Sequence, residues 1–254
     1  MAVKKGFFIP FFIFVLLSGI IIYIAFFRSE RLNPVKISSI NITGDSLIGS
    51  QDYLSFIKLK NKNVNVPLEI VKTRLLKHPY ISSIEMKYAD SRLDIRIKEK
   101  SLKAHLITDN ESWIITDDFQ ILPDLKNYKA VLDLPVINKF NPGKKIETLS
   151  FINSPLLISA FKIIDAAKMI DNNLFKALSE LDLSDPNNIV LNFAGAKAPV
   201  YFGKSDEAKK MMYLEIFWRN TAEGQNLISN SNYIDLRFDN EIFACNFESA
   251  GVTE

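Results

Sequence analysis

Residues 84–98 read Ile-Glu-Met-Lys-Tyr-Ala-Asp-Ser-Arg-Leu-Asp-Ile-Arg-Ile-Lys. Ile84, Met86 and Tyr88 alternate with Glu85 and Lys87; Leu93, Ile95 and Ile97 alternate with Asp94, Arg96 and Lys98. A period of two marks a strand with one buried and one wet face, and the short polar Ala89-Asp90-Ser91 between the runs predicts a hairpin. Upstream, Pro67 suits the first turn of a helix whose apolar face is Leu68, Val71 and Leu75, ending near His78-Pro79. Ser50 is the predicted N-cap of an earlier helix carrying Tyr53, Leu54 and Ile57. Ile40 and Ile42 alternate with Ser39 and Asn41, a short strand ending at Gly44. The order strand, helix, helix, strand, strand predicts an α+β domain with two helices on one face of a three-stranded sheet.

Further toward the N-terminus, Phe7 to Phe27 holds no charged residue, and its length matches a hydrocarbon core of roughly 30 Å. This predicts a single N-terminal transmembrane helix at 7–27. Lys4 and Lys5 precede the run, which slightly favours a cytoplasmic tail at 1–6 and an extracytoplasmic remainder. A cleaved signal peptide fits less well, because Ile24-Ala25-Phe26-Phe27 ends the run with bulky residues.

Composition narrows the function. Lys and Arg number 31 against 29 Asp and Glu, a net charge of +2, too little to build a field that holds nucleic acid. Cys245 is the single cysteine, so no intramolecular disulfide forms. The only histidines are His78 and His105, and no metal-ligand spacing, nucleophile elbow or phosphate-binding loop is present. Adjacent Asp117 and Asp118 read as turn residues, since neighbours on a strand end point apart. The chain is therefore expected not to be an enzyme, with no catalytic residues, no metal and no cofactor. Cys245 reads as a small core residue.

After the first domain, Trp113–Asp117 and Asp118–Leu122 flank a predicted turn. Ser154-Pro155 opens a helix with the stripe Ile163, Ala167, Ile170 and Leu174. Ile189, Leu191 and Phe193 alternate as a strand, and Val200-Tyr201-Phe202 ends another at Gly203. Ser205 is the predicted cap of a second helix, with Met211, Leu214, Phe217 and Trp218 inward. Ile234, Leu236 and Phe238 then alternate, Asp239-Asn240-Glu241 can turn, and Ile242–Phe247 returns as a strand. The second domain is expected to be mostly antiparallel and β-rich, with two helices.

Three groups of residues carry a resemblance. Ile40-Asn41-Ile42-Thr43-Gly44, then His78-Pro79-Tyr80-Ile81 and a hairpin ending at Lys100, look like a POTRA domain. Leu134-Pro135-Val136-Ile137 and the Trp113–Leu122 stretch are similar to the β domain of the FtsQ/DivIB family of bacterial cell-division proteins. Tyr233-Ile234-Asp235-Leu236-Arg237-Phe238-Asp239 resembles that family's Y-x-D-L-R-Y-D run before its final strand. Leu102 stands where the family writes proline, and Gln120 where it writes glycine.

The resemblance implies a POTRA domain at 35–103, an FtsQ-type β domain at 104–247 and a flexible tail at 248–254. It also implies a bitopic inner-membrane scaffold of the divisome, with the bulk of the chain periplasmic at the septum. Its partners would be FtsB and FtsL-like single-span proteins and other divisome components, and not nucleic acid. The physical means would be strand addition at a sheet edge. Arg237, Phe238, Asn240, Phe243 and Cys245 are the candidate partner-binding residues. Two other readings stay open at this level: Phe243 and Cys245 pointing inward, and Arg237 forming a structural ion pair with Asp235 or another carboxylate. A POTRA-bearing component that handles client polypeptides is the alternative function, and an anchored envelope enzyme a more distant one.

Overall fold

The computed structural model describes residues 8–30, 33–59, 63–108, 111–129, 131–143, 145–219, 231–239 and 241–245. The expected segments 1–6 and 248–254 lie outside that set. The chain is α+β and divides into two units, Met1–Glu99 with Tyr128–Ala130, and Lys100–Asn127 with Val131–Glu254.

The first element is α1 (Phe8–Glu30), a helix of 23 residues. Its described side chains run from Phe12 to Tyr23 and are mostly apolar and exposed. Among the described residues no helix is long and apolar enough to cross a membrane. The transmembrane helix expected at 7–27 is therefore corrected, since a span needs roughly 20 apolar residues in a single helix.

The first unit continues with β1 (Val35–Ile37), β2 (Ser39–Thr43), α2 (Ser50–Phe56), β3 (Val64–Val66), α3 (Leu68–Leu76), β4 (Ile81–Ala89) and β5 (Arg92–Glu99). β5 is the centre of a three-stranded sheet, with β2 parallel on one side and β4 antiparallel on the other. Leu93, Ile95 and Ile97 of β5 bury their side chains, as do Tyr53 of α2 and Val71 and Leu75 of α3. Asp90 and Ser91 turn the hairpin with φ of 49° and 62°, the left-handed pair a two-residue turn requires. β1 and β3 form a separate two-stranded ladder, too short to leave an alternation in the sequence.

Gly44 ends β2 at φ 85°, where a Cβ would lie 2.1 Å from the Ile97 carbonyl oxygen, so the close approach admits only glycine. The loop it opens is gathered by Glu99. That carboxylate accepts from the backbone N–H of Ser46, Leu47 and Ile48 and from the hydroxyls of Ser46 and Tyr53. Ser50 is not the cap of α2: Gly49 holds that position, and Asp45 accepts from the Ser50 N–H at 3.1 Å instead. Tyr128 and Lys129 join this unit. The Tyr80 and Tyr128 hydroxyls lie 2.5 Å apart, and Lys129 donates its backbone N–H to the Leu47 carbonyl.

The second unit comprises β6 (Leu102–Thr108), β7 (Glu111–Thr116), β8 (Ile121–Pro123), β9 (Val136–Asn138), α4 (Pro155–Ile170), α5 (Asn172–Ala177), β10 (Leu178–Asp185), β11 (Asn188–Phe193), β12 (Val200–Gly203), α6 (Glu207–Arg219), β13 (Tyr233–Asp235) and β14 (Phe243–Cys245). The strands form one sheet in the order β14-β13-β12-β11-β10-β9-β6-β7-β8.

Two expectations are corrected here. The sheet is mixed, since β9 runs parallel to both β6 and β10, and β12 parallel to β13. For β9–β10 and β12–β13 the cause is a helical crossover, α4 and α5 in the first and α6 in the second, which returns the chain in the same direction, whereas β7 and β8 intervene between β6 and β9. Among the described residues three helices are present instead of two, because Asp171 goes extended at φ −152° and caps α5 by accepting from Leu174 N–H at 2.7 Å. The stripe Ile163–Leu174 is thereby split. Ser205 is also no cap; it and Asp206 take positive φ (65° and 54°) in the turn before α6.

Register aligns the core. Leu106, Ile137, Leu181, Leu191, Val200 and Ile234 are successive partners across six strands, each no more than 1% exposed. They belong to the same buried cluster as Leu157, Phe161 and Ile164 of α4 and Met211 and Leu214 of α6. The row then reaches Ala244 on β14, the partner of Ile234, which is exposed.

Candidate functional site at the C-terminal sheet edge

β14 ends the strand order, so its second side has no strand against it among the described residues. The orientation of its polar groups follows from β13. Ile234 N–H donates to the Pro199 carbonyl at 3.0 Å, and Leu236 N–H to that of Tyr201 at 2.9 Å. Ile234 and Leu236 therefore face β12, and Tyr233 and Asp235 turn their backbone groups toward Cys245 and Phe243. On β14 the residue left aiming outward is Ala244, which carries an N–H and a C=O to the open edge.

Side chains divide by the same alternation. Ala244 shares the helix-side face with buried Ile234, while Phe243 and Cys245 share the opposite face with Tyr233 and Asp235. Phe238 and Phe243 are 55% and 46% exposed, and their rings meet edge to face with centroids 5.0 Å apart. Phe243 thus points outward. Cys245 is half-buried at the rim, on the face opposite buried Ile234, which corrects its reading as a core residue.

Arg237 does form an ion pair. It stacks over the Tyr201 ring at 5.2 Å and grips Asp235 through Nε and Nη2, and its own backbone N–H also donates to Asp235 at 3.0 Å. The Asp235 side chain is 5% exposed and that of Arg237 47%. Burial pulls the Asp235 carboxyl toward its neutral form, but the Arg237 hydrogen bonds outweigh it and hold the group below the ordinary carboxylate range. The Arg237 guanidinium is raised in turn by the Asp235 bonds. Tyr201 meets Tyr233 edge to face at 5.5 Å, and the Tyr233 phenol is pushed up chiefly by the neighbouring Cys245.

Gly203 makes room for this arrangement. At φ 74° it lies under the Arg237 stem, where a Cβ would stand 3.1 Å from Cγ. The Lys210 ammonium is buried and donates to the Phe202 and Lys204 carbonyls, both at 3.1 Å. A shallow depression runs between the start of α6 and the hairpin, lined by Asp206, Lys209, Leu236, Phe238, Asp239 and Glu241 among others.

The structure therefore brings Arg237, Phe238, Phe243 and Cys245 to one edge, while Asn240 lies outside the described residues. Sequence reasoning missed Tyr201, Tyr233 and Ala244. Tyr201 and Tyr233 were signalled by alternation, since each sits one residue from a core position. Elsewhere Asp118 accepts from the Thr116 hydroxyl, and Asp117 faces Lys103 at 3.6 Å, a cation that Asp165 also binds. Among the described residues no group of three or more His, Cys, Asp or Glu side chains is placed to hold a metal. No protein-family model matches the chain, and no curated protein matches it.

Proposed function

We propose that this chain is a non-enzymatic scaffold of the bacterial division machinery. It works outside the cytoplasm at the septum and recruits FtsB- and FtsL-like partners by accepting a partner strand at β14. The observation that carries the reading is the edge itself: Ala244 aims its N–H and C=O away from β13, beside an exposed aromatic pair, directly after the Asp235-Leu236-Arg237 run. Main-chain bonds to Ala244 supply affinity, and Phe238 and Phe243 supply a desolvated contact of the composition that dominates interfaces. Arg237 positions the hairpin through Asp235 and Tyr201.

The test uses Ala244→Pro. Proline deletes the outward N–H while every bond between β13 and β14 remains, because Ala244 spends none of its groups on β13. The full chain and the variant are used to capture proteins from a dividing bacterial envelope. Capture of a small single-span division protein by the parent alone supports the reading. Equal capture by both contradicts it.

A further inference from the structure

We infer that the segment docking on β14 carries a large aliphatic residue opposite Ala244, an aromatic residue next to it opposite Phe243, and a basic residue just beyond, toward Asp239 and Glu241. This rests on the strand-addition reading and adds the side-chain chemistry of the partner.

The aliphatic position follows from the row across the sheet. Leu106, Ile137, Leu181, Leu191, Val200 and Ile234 fill it with large side chains, and among the described residues it stops at a methyl group, exposed Ala244, against fully buried Ile234. A strand added here places one residue as the next member of the row, on the helix side, in hydrogen-bonding register with Ala244. A large aliphatic side chain there closes the end of the core. Its neighbour falls on the opposite face beside Phe243, whose ring already pairs with Phe238 and presents exposed aromatic surface.

The basic position follows from charge. Asp239 and Glu241 border the depression, with Asp206 across from them. Of the two lysines in the same lining, Lys210 directs its ammonium into the Phe202 and Lys204 carbonyls, and Lys209 lies over the Tyr213 ring at 5.9 Å. Three carboxylates, Asp206, Asp239 and Glu241, stand against the two ammoniums of Lys209 and Lys210, a net charge of −1, and a cationic side chain on the incoming strand complements it.

The experiment measures fluorescence anisotropy of labelled twelve-residue peptides on the full chain. One peptide carries adjacent Leu and Phe with Lys two residues on, a second has Ala for the Leu, a third has Glu for the Lys, and a fourth is scrambled. The parent is expected to bind the Leu peptide about tenfold tighter than the Ala peptide. Ala244→Leu fills the end of the row from within and should reverse that preference. The Glu peptide should bind more weakly than the Lys peptide, by a factor that shrinks as salt rises.

Equal binding of the Leu, Ala and scrambled peptides, or an unchanged preference in Ala244→Leu, overturns the side-chain pattern. If Ala244→Pro still abolishes binding in that case, strand addition stands. Failure of every peptide to bind the parent, with partner capture untouched by Ala244→Pro, overturns both.

Discussion

The Arg237 guanidinium closes on Asp235 through Nε, at 2.9 and 3.1 Å from the two carboxylate oxygens, and through Nη2 at 2.5 Å. This pair ties the second residue after β13 back onto the strand and lays the Arg237 stem across Gly203. Removing the arginine leaves a nearly buried carboxylate with only a backbone donor. Arg237→Ala should cost about 2 kcal/mol in urea unfolding, and Arg237→Lys should recover only part, since an ammonium cannot reproduce the two-pronged contact.

The same pair sets a pH dependence. Asp235 is held below its unfolded value of about 3.9, so its contribution to stability is fully present above that value and is lost as pH falls through the folded pKa. The stability gap between the parent and Arg237→Ala should stay constant from about pH 7 to 5 and narrow below about pH 4. Unfolding curves collected across that range provide the check; a gap that widens in acid would contradict the assignment.

Glu99 is the corresponding anchor in the first unit. Glu99→Ala strands the Tyr53 hydroxyl, in a residue 0% exposed, together with three backbone donors. A loss of about 3 kcal/mol is expected, against about 1 for Tyr53→Phe, which removes one bond of the set. Burial and the Glu99 bond push the Tyr53 phenol far up, so its ultraviolet signature should not change until the unit unfolds.

The two glycines predict unequal outcomes. Gly44→Ala drives a Cβ to 2.1 Å from a backbone oxygen that cannot swing aside, and should cost more than about 2 kcal/mol or prevent folding. Gly203→Ala meets the Arg237 Cγ at 3.1 Å, a side chain able to shift, so about 1 kcal/mol from the positive φ is the expected loss. Thermal unfolding of the two variants side by side separates them.

What the sequence disclosed depended on the range of the interaction. The hairpin at 84–98 and the turn at Gly44 were legible because alternation and left-handed backbone are local properties. Parallel pairing of β9 with β10 was not, because each partner lies a helix away and neither strand records the other. Asp171 hid its break inside a continuous apolar stripe, and Ser205 imitated a cap while holding a left-handed turn. The apolar run at 7–27 suggested a membrane span, which the described helix does not sustain. At the site, the Asp235-Leu236-Arg237 run located the hairpin. The outward aim of Ala244 emerged only from the bonds between β13 and β12, and no pattern on β14 itself contains them.

Hydrogen exchange at the Ala244 amide tests strand addition most directly. That N–H carries no bond to β13, so it should exchange rapidly in the isolated chain and slow by at least about a hundredfold when an FtsB-like partner is bound, as a ladder hydrogen bond forms. The Ile234 amide, already bonded to Pro199, should remain protected in both states. Fast exchange at Ala244 in a saturated complex, with new protection arising elsewhere, would show that the partner binds without using this edge.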